Sequence, residues 1–199
     1  MEETPFKRQT PEWGAESSPS LARRFMRFVA ELLQTVLIAG VLFLAVNLLT
    51  ARIRVEGISM EPSLHDGQFV VVSRLAYRWT TPQRGDIIVF RFPLDPERRF
   101  IKRVIGLPGE TITAQGGELY VDGELIDEPY LTVTPRYSGE WTLNPDEIFV
   151  LGDNRNNSSD SQNWGALSMD EIIGKAILVY WPPAEAGPIP HYDLAAAGE

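Results

Sequence analysis

The chain has 199 residues, 44 % of them hydrophobic, with 18 basic against 27 acidic side chains and a formal net charge of −9. That length and apolar content suit one domain with a real core plus extensions, and the acidic balance argues against a nucleic-acid partner or a polyanionic substrate. With no cysteine in the chain, disulfides, zinc-thiolate sites and cysteine nucleophiles are excluded, so chemistry falls to Ser, Thr, Lys, carboxylates or the two histidines.

Residues 1–20 are rich in Pro, Ser, Thr and Glu and poor in apolar side chains. Such a segment buries too little to offset chain entropy, so 1–27 is expected to be a flexible tail. From Phe28 to Thr50 the run "FVAELLQTVLIAGVLFLAVNLLT" follows, about 34 Å of helix at ~1.5 Å per residue and enough to cross a hydrocarbon core of ~30 Å. A membrane-spanning helix over 28–50 fits best. A cleaved signal peptide is disfavoured by the long preceding region and the lack of a small-x-small site close behind, and a buried core helix stays open. Arg23, Arg24 and Arg27 precede the run, which puts the N-terminus in the cytoplasm and the chain beyond about residue 52 on the outer face. Seven basic and five acidic residues precede Val55, and eleven and twenty-two follow it.

The outer part, 51–182, reads as mostly β. Strands are expected at 52–58, 68–74, 86–92, 99–106, 110–114, 118–126, 147–153 and 174–181. They are short, β-branched and separated by Gly, Pro, Asp and Asn, the signature of antiparallel sheets closing into a partly open, barrel-like domain. Asp122-Gly123 between two alternating runs predicts a tight hairpin. Only "SMDEII" at 168–173 offers a short helix, opened by Ser168 with Glu171 three residues on. Residues 183–199 read as a tail, with "LAAAGE" a small-residue ending.

"GISMEPSLHDG" at 57–67 places Ser59 between a strand and a Pro/Gly-rich turn. A serine nucleophile needs a base to take its proton. His65 sits inside that turn and His191 in the polar C-terminal stretch, so neither is promising. A neutral lysine is the other option, and of three lysines Lys7 lies in the tail and Lys175 opens the last strand. Lys102 remains, in "RRFIKRVIGLPGE". Strand alternation sets Phe100, Lys102 and Val104 on one face and Ile101, Arg103 and Ile105 on the other, so apolar side chains flank the amine. Acting near pH 7 to 8 requires a pKa depressed by about 2 to 3, a cost of roughly 3 to 4 kcal/mol that burial supplies. Taken alone, Lys102 reads rather as an exposed strand residue balancing nearby acids.

Four segments in order after the apolar helix, "GISMEPSL", "RGDIIVF" (84–90), "KRVIGLPGE" (102–110) and "GDNRNNSSDS" (152–161), together resemble the bacterial type I signal peptidases, membrane-anchored Ser-Lys proteases of family S26. The likeness covers 28–181. It implies Ser59 as nucleophile and Lys102 as general base. Ser158 matches a hydroxyl that orients the lysine, and Asp153 and Arg103 match a charged pair bracing the site. Met60, Leu64, Phe100 and Ile101 match positions lining shallow pockets for small side chains. Asn154 and Asn156 read either as structural or as water-positioning.

Three departures stand out. Gly57 replaces a serine that helps the oxyanion in some members. Gln162 stands where many have arginine, leaving Asp160 without that partner and Arg155 as a substitute. Residues 115–145 are short beside members with a second β-domain, so only a small hairpin insertion is expected there. The resemblance implies cleavage after small residues, Ala-x-Ala, in exported preproteins bound as an added strand beside 56–58 and 99–101, with no metal and no cofactor. It also implies the lipid bilayer as partner, a transient contact with the export translocon, and residence in the bacterial cell membrane. Trp79, near Phe69, reads either as dipping into the outer leaflet or as core. Two other readings stay open: a repressor-type Ser-Lys self-cleaving protein, disfavoured by the apolar helix, and a tethered β-module that only binds exported chains.

Overall fold

The computed structural model describes residues 21–192 and Leu194, and the chain divides into two compact units between Ala45 and Val46. The first twenty residues of the expected tail lie outside the described part. In the first unit the chain is helical from Leu21 and continues as one helix, α1 (Leu21–Leu49), of 29 residues with no buried side chain. At ~1.5 Å per residue it is about 44 Å long, and it is long and apolar enough to cross a membrane. It begins ahead of the apolar run because Leu21 to Arg27 contain no Gly or Pro to stop it.

The second unit is mostly β. Its strands are β1 (Thr50–Arg54), β2 (Phe69–Ser73), β3 (Ile87–Phe92), β4 (Asp95–Gly106), β5 (Thr111–Gln115), β6 (Glu118–Val121), β7 (Glu124–Leu125), β8 (Gly139–Thr142), β9 (Glu147–Leu151), β10 (Leu167–Ser168), β11 (Ile172–Trp181) and β12 (Gly187–Pro188), with a one-turn helix α2 (Ser161–Trp164). An eight-stranded sheet runs β1-β2-β11-β3-β4-β9-β10 with β12 beside β11, and a four-stranded sheet runs β7-β6-β5-β8.

Neither sheet closes, which corrects the expected barrel-like domain. Closure of the large sheet would require β1 to pair with the free edge of β4, since β4 meets β9 only from Arg103 onward. Instead that gap is a cleft, lined by Arg52 to Arg54 on one side and Glu97 to Lys102 on the other. Open edges that stay unpaired are available to another extended chain.

β3 is buried on both faces, as its unbroken "IIVF" run requires. Ile87 and Val89 join a core with Met60, Leu64, Val70, Val72, Ile101 and Ala176, while Ile88 and Phe90 join another with Val104, Ile148, Val150 and Leu167. β9 does the same, turning Phe149 and Leu151 to the small sheet. Asp122 and Gly123 take φ of 50° and 84°, the positive pair that a two-residue hairpin between β6 and β7 demands. The expected helix at 168–173 is only a 3-10 turn over Met169–Glu171, with the Ser168 hydroxyl capping Asp170 N–H. Ile172 and Ile173, β-branched and paired or packed in β11, end it.

Candidate active site

Ser59 follows β1 at the floor of the cleft, and Lys102 reaches it from β4. Lys102 Nζ is 2.7 Å from Ser59 Oγ and 3.0 Å from Ile101 O. The lysine is 4 % exposed, and its ring neighbour is Phe100, whose centroid is 5.4 Å from Nζ. Burial lowers its pKa from 10.5 to about 8, against the opposing pull of Asp160 and Asp153. The Ser59 N–H has no acceptor among the described groups. Neither histidine bonds Ser59: His65 is exposed on its turn, and His191 bridges Ile87 N–H and Ala176 O elsewhere.

The turn carrying Ser59 is tied down from both sides. Gly57 takes φ +82°, a left-handed backbone that a serine would hold only under strain, and its N–H donates to Asp66 Oδ1 at 2.7 Å. The loop 152–160 packs over the turn. Asn154 N–H donates to Ser59 O at 3.1 Å, and Asn154 Nδ2 donates to Ile58 O at 3.1 Å. Gly152 lies so close that a Cβ there would sit 2.4 Å from Ser59 O and 2.2 Å from Ser158 Oγ. Ser158 Oγ is buried and has no hydrogen-bond partner among the described groups.

Charged groups brace this arrangement. Arg103 donates to both Asp153 oxygens, Nε to Oδ1 at 2.9 Å and Nη2 to Oδ2 at 2.7 Å, with both side chains fully buried. Asp160 is buried and accepts from the N–H groups of Gly152 at 2.9 Å and Gln162 at 3.3 Å, capping α2. Its pKa is raised by burial, against those N–H groups, the Ser158 hydroxyl and Lys102. Arg155 does not take the place of the missing arginine: it gives Nη1 and Nη2 to Glu128, Nη2 to Tyr130 and Nε to Gly152 O. Glu128 was invisible in the sequence because it lies in a segment with no motif, joined to Arg155 only through the fold. Asn156 is a structural tie, bonding Arg136 N–H and Thr134 O.

The cleft, about 630 Å³, contains Ser59, Lys102, Phe100, Ile101 and Ser159 between Arg52, Arg54 and Glu56 on one wall and Glu97, Arg98 and Arg99 on the other. Met60 and Leu64 do not line it; both are fully buried in the core. Trp79 is 77 % exposed and so is not a core residue, whereas Phe69 packs on Tyr180.

The family model described as "Signal peptidase, peptidase S26" matches residues 26–181. Signal peptidase I of Leptolyngbya laminosa is 36 % identical over 96 % of this chain and 98 % of its own length. Probable signal peptidase I-1 of Synechocystis is 37 % identical over 86 % and 92 %, and signal peptidase I of Bacillus caldolyticus is 41 % identical over 64 % and 78 %. A solved signal peptidase I from Enterococcus faecalis aligns at a TM-score of 0.45 and 32 % identity, over 48 % of this chain and 97 % of that one. With the match spanning the apolar helix, the serine turn, the buried lysine and the bracing loop, the chain belongs to peptidase family S26 as a signal peptidase of the bacterial type I kind, a membrane-anchored serine protease acting on signal peptides.

Proposed function

We propose that the chain removes signal peptides from exported preproteins with a Ser59–Lys102 dyad, cutting after Ala-x-Ala. The observation that carries the reading is the 2.7 Å approach of Ser59 Oγ to a buried lysine, whose pKa near 8 leaves about a tenth of it neutral at pH 7. Neutral Lys102 takes the hydroxyl proton as Ser59 Oγ attacks the scissile carbonyl. The negative oxygen forms beside the free Ser59 N–H. The lysine then gives its proton to the departing amine, the acyl-enzyme remains on Ser59, and Lys102 next accepts a proton from the water that releases the signal peptide.

Substrate binds extended between the free edges of β1 and β4, so that main-chain hydrogen bonds supply affinity. Phe100 and Ile101 leave shallow space for small side chains. Met60 and Leu64 shape that floor from beneath. Ser158, a buried hydroxyl beside Asp160, is placed to turn toward the lysine and hold it. α1 anchors the enzyme, confining it with its substrate to one bilayer. Arg23, Arg24 and Arg27 keep residues 1–27 cytoplasmic, and the catalytic domain over 51–182 faces outward.

The test uses the full chain in detergent and a preprotein carrying one Ala-x-Ala site, comparing the parent with Ser59→Ala. The reading expects a single cut after the second alanine by the parent and none by the variant. Cleavage elsewhere would remove the specificity, and cleavage by Ser59→Ala would remove the nucleophile.

A further inference from the structure

After β11 the chain doubles back over the sheet. β12 pairs with β11 as Val179↔Gly187 and Leu178↔Pro188, and Ile189 N–H donates to Ile177 O at 3.1 Å. Ile189 is buried in one core and Leu194 in another, so this strap is fastened on both sides of His191 and Tyr192. The β3–β11 ladder ends at Lys175↔Ile88, and the His191 imidazole fills the next place. Its Nδ1 accepts from Ile87 N–H at 3.3 Å, and Nε2 donates to Ala176 O at 2.9 Å.

The strap then meets Arg103. Pro190 O accepts from Arg103 Nη1 at 3.4 Å, and the Tyr192 ring lies 5.2 Å from the guanidinium carbon. Tyr130 covers the guanidinium at 4.1 Å, and the two tyrosines pack on each other at 5.3 Å. Gly85, at φ +91°, admits the Tyr192 carbonyl, which would sit 1.7 Å from any Cβ there, and its own carbonyl accepts from Arg103 Nη1 at 2.8 Å. Arg103 is thus boxed in, with Asp153 as its ionic partner. Asp153 precedes Asn154, whose N–H donates to Ser59 O at 3.1 Å, while Lys102 Nζ bonds Ser59 Oγ at 2.7 Å, and the field of Asp153 reaches Lys102.

We propose that the strap, through Tyr192 and Pro190, is a positioning element for the dyad: it keeps Arg103 closed on Asp153, so that the carboxylate is matched by the guanidinium and not by an ammonium on Lys102. The proposal rests on the reading of Lys102 as the base. The other charged groups around the lysine are Asp160 and, along the cleft, Glu97, Arg98 and Arg99 of β4 with Arg52, Arg54 and Glu56 across it. Among the described residues none of these bonds the strap, whose own titratable group, His191, is held below its ordinary pKa by burial and faces Asp86, Lys175 and Arg103; a change in Tyr192 reaches Lys102 by way of Arg103 and Asp153. Loosening Arg103 exposes the Asp153 charge, favours the ammonium and moves the base limb of the rate profile to higher pH.

The experiment measures kcat/KM against pH for the full chain and for Tyr192→Leu, Tyr192→Met, Tyr192→Phe and Lys102→Met. Tyr192→Leu is expected to shift the rising limb alkaline by about 0.5 to 1 pH unit, cutting the rate at pH 7 by about 3- to 10-fold while recovering on the alkaline plateau. Tyr192→Phe keeps the ring and restores the parent profile. Tyr192→Met fills the space without an aromatic face and gives the same shift should the leucine variant melt at assay temperature. An unchanged profile, an equal loss at every pH, or failure of both aliphatic variants to fold overturns the proposal. If Lys102→Met still cleaves, the base assignment has failed; if it is inactive while Tyr192→Leu keeps the parent profile, only the strap's role has.

Discussion

Arg155 and Glu128 form a buried ion pair in which both guanidinium Nη atoms meet the carboxylate, with relative side-chain exposures of 0 % and 7 %. The pair ties the loop that packs on Ser59 to the segment between β7 and β8. Removing one partner strands the other charge in the interior. Glu128→Ala is therefore expected to lose about 3 to 5 kcal/mol, read as a fall in melting temperature. Arg155→Met added to it should recover part of that loss. A fall no larger than that of a surface substitution, about 0.5 kcal/mol, would contradict this account.

Ser59 and Lys102 came forward from local sequence only as candidates, and the four-segment resemblance singled them out; the structure brings the two side chains within 2.7 Å of each other. Ser59 stands beside a turn-forming Pro62, and Lys102 is the lysine that alternation sets among apolar neighbours. The strands with unbroken or alternating apolar runs, such as "IIVF" in β3, were legible because that pattern is local. What was not legible depends on contacts distant along the chain. "GEWT" in β8 carries no β-run, yet it pairs with β5 because Trp141 packs on Phe149. Arg155 looked available to Asp160 until Glu128, 27 residues away, claimed it. The C-terminal stretch looked polar because Ile189 and Leu194 are isolated in sequence and buried only by the fold. The large sheet stays open because β1 and β4 stand apart across the cleft.

Gly152 is small because Ser59 O and Ser158 Oγ close on its α-carbon. Gly152→Ala should push the Ser59 turn away from Lys102 and, if the proposed dyad holds, cost at least about 100-fold in kcat, the scale of an ångström's misplacement. The domain should still melt cooperatively. Near-parent activity in that variant would show that the two segments slide apart freely.

Asn154 holds the same turn through Ile58 O. Asn154→Ala removes that donor while leaving the cleft walls unchanged, so kcat should fall about 10-fold or more with little change in KM. A rise in KM alone would assign the side chain to substrate binding.

Burying Lys102 also costs stability. Below pH 8 the side chain is charged in both states and the folded one is penalised, whereas above its ordinary 10.5 it is neutral in both. Stability from this group therefore rises with pH between those limits, by about 3 kcal/mol. Lys102→Met should melt higher than the parent at pH 7, with the gap closing toward pH 10.5. A variant that melts lower at pH 7 would mean that the lysine's hydrogen bonds outweigh its desolvation.

The most direct measurement is kcat/KM for an Ala-x-Ala preprotein from pH 6 to 10, for the parent and for folded Lys102→Met. The account predicts a parent rate that rises tenfold per pH unit and levels near pH 8, with no cleavage by the variant. A parent rate independent of pH across that range, or measurable cleavage by Lys102→Met, would contradict it.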